Sequence, residues 1–157
     1  MDKKKKQDFE YRLRWDDVQY EPGELKVMAY KNGTKWAEET VRTTGVAAQL
    51  KLSADRSIIA ADGKDLSFIT VAITDNNELT VPDAMNKVSF SIEGRGEIVA
   101  TDNGNPASMV FFASKEREAY FGLLLVIVRA EKGKAGIIKV TAKAEGLKGA
   151  SVEVRSK

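Results

Sequence analysis

Hydrophobic and polar residues alternate along most of this chain with a period of two. In residues 9–15, FEYRLRW, Phe9, Tyr11, Leu13 and Trp15 fall on one side and Glu10, Arg12 and Arg14 on the other. That is the pattern of a strand with one apolar face. Tyr20-Glu21-Pro22-Gly23 then reads as a turn, with proline presetting φ and glycine accepting a positive one. Residues 25–31 form a second strand. Asn32-Gly33 reverses the chain, through a two-residue type I′ loop or a longer loop with a glycine bulge. Residues 36–42 are a third strand, closed by Thr43-Thr44-Gly45. Three short strands present an apolar face that they cannot cover, and a small isolated sheet is marginal in water. Residues 9–45 therefore read as an incomplete immunoglobulin-like sheet, and residues 1–8 as an unstructured or appended basic tail.

From residue 46 onward, strand and turn signals recur about every ten residues, the spacing of a β-sandwich. Strands are expected at 49–54, 66–74, 87–93, 97–100, 119–129, 137–144 and 150–155. Ile69, Val71 and Ile73 share one face, and Val88, Phe90 and Ile92 another. The apolar run 123–128 suits a central strand covered on both sides. Residues 114–118 are expected to make one turn of helix. With seven or eight strands and almost no helix, the chain is all-β, with an immunoglobulin-like sandwich at 46–157.

Charge adds little to this picture. The 157 residues carry a net +2, and without the four lysines at positions 3–6 the rest carries −2. A nucleic-acid binder concentrates basic residues on a folded face; here they lie on a tail, so no nucleic-acid partner is expected. The chain has neither cysteine nor histidine. That removes disulfides, thiol nucleophiles, the commonest general base and the commonest metal ligand. No apolar leader follows Met1-Asp2-Lys3, and no apolar run approaches the length of a membrane span.

Candidate chemistry is correspondingly thin. Glycoside hydrolysis needs two carboxylates facing each other across a bond. Glu38 and Glu39 are neighbours on one strand and point to opposite faces, and Asp16-Asp17 reads as a strand terminus. Asp102-Asn103-Gly104-Asn105 lacks the further ligands of a calcium loop and reads as a turn. Gly94-Arg95-Gly96 precedes no helix and is not a phosphate loop. No catalytic, cofactor or metal residue is assigned. The aromatic residues Trp15, Tyr20, Tyr30 and Trp36 leave two readings open. They pack in a core or against another domain, or they form a platform on which sugar rings stack. Phe111, Phe112, Tyr120 and Phe121 are read as core or contact residues.

Several stretches carry a family resemblance. YRLRWDDVQYEPGELKVMAYKNGTKWAEETVRTTG, residues 11–45, resembles the end of an immunoglobulin-like domain that follows the catalytic barrel in bacterial β-galactosidase-like enzymes of glycoside hydrolase family 2. LSADRSIIAADGKDLSFITVAITD (52–75), GRGEIVATDNGNP (94–106) and GLLLVIVRAEKGKAGIIKVTAKAEGL (122–147) resemble the C-terminal domain of the same enzymes. That domain is in turn similar to invasin-like bacterial modules. The resemblance implies a parent with a jelly roll, a sandwich and a catalytic barrel upstream, and its catalytic glutamates belong to that barrel. It also implies an exported enzyme, periplasmic or at the cell surface.

The expected function is that of a non-catalytic C-terminal region that packs against the upstream barrel and sandwich domains. The alternatives are an ancillary module binding polysaccharide and a stalk of the adhesin type. The uncovered face of residues 9–42 is also expected to pack on something, including a second copy through strand sharing.

Overall fold

The Asn32-Gly33 reversal is a two-residue turn in the computed structural model, which describes residues 3–5 and 11–157. Strands β1 (Glu24–Lys31) and β2 (Thr34–Arg42) pair antiparallel, with Lys31 opposite Thr34. Asn32 and Gly33 have φ of 51° and 78°, the left-handed pair that a type I′ turn requires. The register slips between Ala29 and Tyr30, so Trp36 is the extra residue of a bulge. Leu25, Val27 and Val41 are exposed along one face. The other carries ion pairs, Glu24 to Arg42 at 3.0 Å and Glu38 to Lys35 at 3.1 Å and Lys26 at 3.7 Å.

The expected strand at 9–15 needs correction. Residues 9 and 10 lie outside the described residues, and 11–15 are irregular. Alternation supplies a face but not a partner, and among the described residues β1 and β2 pair only with each other. Arg14 instead binds Asp16 at 2.6 Å, and the Lys4 ammonium lies 5.6 Å from the centre of the Trp15 ring.

The chain divides at Thr43/Thr44 into two compact units. The second holds β3 (Gln49–Ala54), β4 (Ile58–Ile59), β5 (Leu66–Thr74), β6 (Lys87–Gly94), β7 (Gly96–Asp102), β8 (Glu116–Glu118), β9 (Leu123–Ala130), β10 (Gly136–Ala144) and β11 (Ala150–Ser156). One sheet has the order β4-β11-β10-β6-β8 and the other β3-β5-β9-β7. All pairs are antiparallel except β4 with β11. The core is the single cluster between the sheets. Ile69, Val71, Ile73, Val126 and Val128 come from one, and Val88, Phe90, Ile138, Val140 and Val154 from the other. Inward positions at every second residue produce this layer, as in aligned sandwiches generally.

Gly94-Arg95-Gly96 is the point where the chain leaves one sheet for the other. Gly94 has φ of 98°, and a Cβ there would sit 1.9 Å from the Ile137 carbonyl oxygen. A Cβ at Gly96 would lie 2.6 Å from Ile138 Cδ1. The two glycines let the crossing backbone run against β10.

Three further expectations are corrected. Residues 114–118 are not helical, because Glu116–Glu118 pairs with β6 and buries the Arg117 side chain. Residues 119–122 are a turn rather than the start of β9, with Phe121 and Gly122 at φ of 50° and 72°. Within β9 the inner residues Leu124, Val126 and Val128 are buried. Leu123 on the outer face is exposed, and Leu125 and Ile127 are only half-buried. The strand is central in its sheet but well covered on one side alone.

The register places the loops. Residues 44–48, 75–86, 103–115, 119–122 and 145–149 emerge at one end of the sandwich, since β3, β6, β9 and β11 start there and β5, β7 and β10 finish there. The lead-in is fixed to that end. Ala48 N–H donates to Thr74 O and Lys148 N–H to Ala48 O, both at 2.9 Å.

Candidate interaction surfaces

Trp15, Tyr20, Tyr30 and Trp36 all lie in the first unit, and the fold does not gather them. Trp15 is half-buried in irregular chain. Tyr20 is exposed at the open end of the hairpin, its hydroxyl 3.3 Å from Thr43 Oγ1. Tyr30 and Trp36 flank the type I′ turn at the opposite end, roughly 20–25 Å away at the usual rise of about 3.4 Å per strand residue. Tyr30 donates to Met28 Sδ at 3.7 Å, and Trp36 is 73% exposed on its bulge. Tyr20, Tyr30 and Trp36 are thus not core residues.

Several carboxylates are engaged as acceptors. Glu38 and Glu39 are opposite Met28 and Val27, on different faces of the hairpin. A hydrogen bond from Lys35, aided by the charges of Lys26 and Lys35, holds Glu38 below the usual carboxylate range. Lys51 does the same for Glu78, and Lys134 for Glu131. Each is poised as an anion, whereas a general acid needs its pKa raised. Among the described residues, no group of three or more histidine, cysteine or acidic side chains is placed to hold a metal. In Asp102-Asn103-Gly104-Asn105 the side-chain oxygens accept from the loop's own backbone: Asp102 from Asn103 at 2.8 Å, Asn103 from Asn105 and Asn105 from Ala107, both at 3.0 Å. Asx turns of this kind are how such residues shape a loop.

Asp75 fixes the start of the sandwich. Its carboxylate accepts from Gly45 N–H at 2.7 Å, Asn77 at 2.8 Å and Leu79 at 3.0 Å. The bond from Gly45 is the largest influence lowering its pKa; burial opposes it, and the bonds from Leu79 and Asn77 add to it. This aspartate ties the lead-in to the β5–β6 loop.

Arg117 is the residue that sequence reasoning missed. It stands between two glutamates in a charged run, where nothing signals burial, yet only 2% of it is exposed. Its guanidinium donates to Thr101 O at 2.6 Å, Val110 O at 2.9 Å and Phe111 O at 3.0 Å. Longer bonds reach Ser108 Oγ at 3.3 Å and Thr101 Oγ1 at 3.4 Å. Its partners are carbonyl and hydroxyl oxygens, with no carboxylate in ion-pair range among the described residues. The fork clamps the β7–β8 loop, whose tip points its apolar residues outward. Met109 is 95% exposed, Phe111 70% and Phe112 64%. Met85 and Phe121 are exposed on neighbouring loops of the same end. Phe111, Phe112 and Phe121 therefore do not belong to the core.

Known proteins resemble this chain along nearly all of it. Residues 50–153 match the family described as glycoside hydrolase family 2 C-terminal domain 5, and residues 1–37 a domain of unknown function, DUF4982. Beta-galactosidase BoGH2A of Bacteroides ovatus is 44% identical over 137 residues, covering 87% of this chain and 16% of that protein. A beta-glucuronidase of Formosa agariphila is 28% identical over 148 residues, covering 93% of this chain and 15% of that protein. A glycosyl hydrolase family 2 member from Bacteroides cellulosilyticus superposes with a TM-score of 0.84 at 38% identity, covering 89% of this chain and 18% of that structure. The chain spans about a sixth of the length of these relatives.

Proposed function

Because the chain belongs to the glycoside hydrolase family 2 C-terminal domain 5 family, we propose that it is the non-catalytic trailing region of a β-galactosidase-like enzyme. Its task is structural: it packs against the upstream barrel and sandwich domains and holds their arrangement. The match of residues 50–153 carries this reading, together with 44% identity to a β-galactosidase of which the chain covers 16%. In this reading residues 9–45 close an immunoglobulin-like domain whose other strands lie upstream, and residues 46–157 form the next domain. The exposed Leu25, Val27 and Val41 suit a face awaiting such strands, or a second copy of the hairpin. We further propose that the parent works in the periplasm or at the cell surface, which fractionation of cells producing it tests. Incubated with chromogenic β-galactosides, the 157-residue chain is expected to release no chromophore above blank. Turnover proportional to protein overturns the reading.

A second reading draws on the exposure of Trp36 and Tyr30 beside one turn. Such a pair can stack on a sugar ring, making the region an ancillary polysaccharide-binding module. Calorimetric titration with a panel of β-linked galactans and other plant polysaccharides distinguishes the two. Binding abolished by Trp36→Ala favours the module, and no heat from any glycan removes it.

A further inference from the structure

The apolar side chains exposed at this end of the sandwich lie outside its core. The β7–β8 loop from residue 103 to 114 contains no charged side chain, in a chain where 31% of residues are charged. At its tip stand Met109, Phe111 and Phe112, with Met85 and Phe121 on adjoining loops. Exposed apolar clusters of this kind mark interaction sites more often than chance. Here the cluster is also held rigid. Arg117 clamps the carbonyls of Thr101, Val110 and Phe111, and Asp102, Asn103 and Asn105 brace the near side of the loop. Burying a guanidinium without a carboxylate is expensive. A loop that merely joined β7 to β8 would not require it, whereas a preorganised binding loop gains affinity from the lost freedom.

We propose that this end, led by Phe111 and Phe112, docks on the catalytic part of the glycosidase; the inference rests on the family 2 reading above. Two observations choose that occupant. The lead-in at residues 44–48 is fixed to the same end, by Gly45 on Asp75 and Ala48 on Thr74, so preceding chain enters the sandwich at this end, by the β3 edge, with the loop at the β7 edge. The relatives are some six times longer than this chain, which leaves a large protein body to be met there. The chemistry agrees. Phenylalanine and methionine without charge suit an apolar protein surface and give a phosphate or an acidic glycan nothing to bind.

The test replaces the matching region of BoGH2A with this chain and compares three forms: unaltered, Phe111→Ser with Phe112→Ser, and Ile137→Ser. Ile137 is an exposed control at the far end of the sandwich. Docking is read from trypsin cleavage at the junction and from the number of calorimetric transitions. The 157-residue chain carrying each change is melted separately to show that it folds. The expected result is one transition for the unaltered and Ile137→Ser enzymes. The double variant should show two transitions and at least about tenfold faster junction cleavage, as loss of paired aromatic anchors gives at interfaces. A double variant that stays docked overturns this surface and leaves the family 2 reading standing. An unaltered replacement that never docks overturns both. A Phe111-dependent dimer, or retardation of the chain on a polysaccharide gel with docking unchanged, assigns the end to another occupant and equally refutes the proposal.

Discussion

Replacing Arg117 by methionine removes the guanidinium while keeping most of the stem, and its consequences can be worked from the contacts. Three carbonyls lose their donor. Those of Val110 and Phe111 belong to exposed residues and regain water once the loop lifts, whereas Thr101 is fully buried and its oxygen stays unpaired. One orphaned buried acceptor costs about 1–3 kcal/mol. Against this, the substitution relieves the desolvation of a buried cation, which is why an apolar isostere is often tolerated. The net loss is about 2 kcal/mol, or roughly 6–10 °C in Tm for a domain of this size. Arg117→Lys should be worse than Arg117→Met, because an ammonium keeps the buried charge and cannot fork to three carbonyls. Hydrogen exchange supplies the sharper readout. Amides of residues 104–113 should lose protection at least tenfold in Arg117→Met, while β5 and β9 keep theirs. A Tm within 1–2 °C of the parent, with unchanged exchange in the loop, refutes the clamp.

Other expectations follow from the same geometry. Gly122 and Gly133 have nearly equal φ, 72° and 71°, but a Cβ at Gly122 would meet Val81 O at 2.3 Å while nothing lies within 4 Å of one at Gly133. Gly133→Ala should therefore cost only the left-handed penalty of about 1–2 kcal/mol, and Gly122→Ala considerably more. Equal denaturant midpoints for the two variants contradict this. Acid should destabilise the sandwich through its aspartates. Asp62 is held low by the N–H groups of Asp65 and Lys64, and Asp65 by that of Ala60 and by Arg56. At Asp55 burial opposes the shift, but bonds from Phe68, Ser67 and Arg56 prevail and lower it. Since the folded pKa values lie below the unfolded ones, this stability is present above about pH 4 and is lost as pH falls through the folded values. Tm should be flat near neutrality and drop below pH 4. Asp75→Asn should lower Tm at pH 7 and shrink the acid drop, and a Tm unchanged between pH 7 and pH 3 rules the mechanism out.

The parts legible in the sequence are those where a local pattern and the tertiary environment agree. Ile69, Val71 and Ile73 alternate because one face of β5 is the core, and all three are fully buried. Asn32-Gly33 specifies its turn through backbone conformations that few other residues accept. Where pattern and environment part company, reading failed. Tyr11, Leu13 and Trp15 alternate, but none of the strands among the described residues pairs with them. Ile58–Ile59 and Glu116–Glu118 are too short to show a period, and they exist because β11 and β6 offer edges to them. Arg117 could not be told from a surface charge, since its burial depends on carbonyls that a distant loop brings to it. For the same reason the sequence left Phe111 and Phe112 open between core and contact residues: hydrophobicity is visible in a sequence, but the clamp that turns them outward is not.

In the proposed function this chain supports a family 2 glycosidase without taking part in its chemistry. The most direct test compares BoGH2A lacking the matching region, BoGH2A with that region replaced by this chain, and the parent enzyme, for hydrolysis and for Tm. The truncated enzyme should melt roughly 5 °C or more below the parent, the replacement should recover most of that loss, and the 157-residue chain alone should hydrolyse nothing. A truncated enzyme that matches the parent in both stability and rate, or hydrolysis by the chain alone, would contradict it.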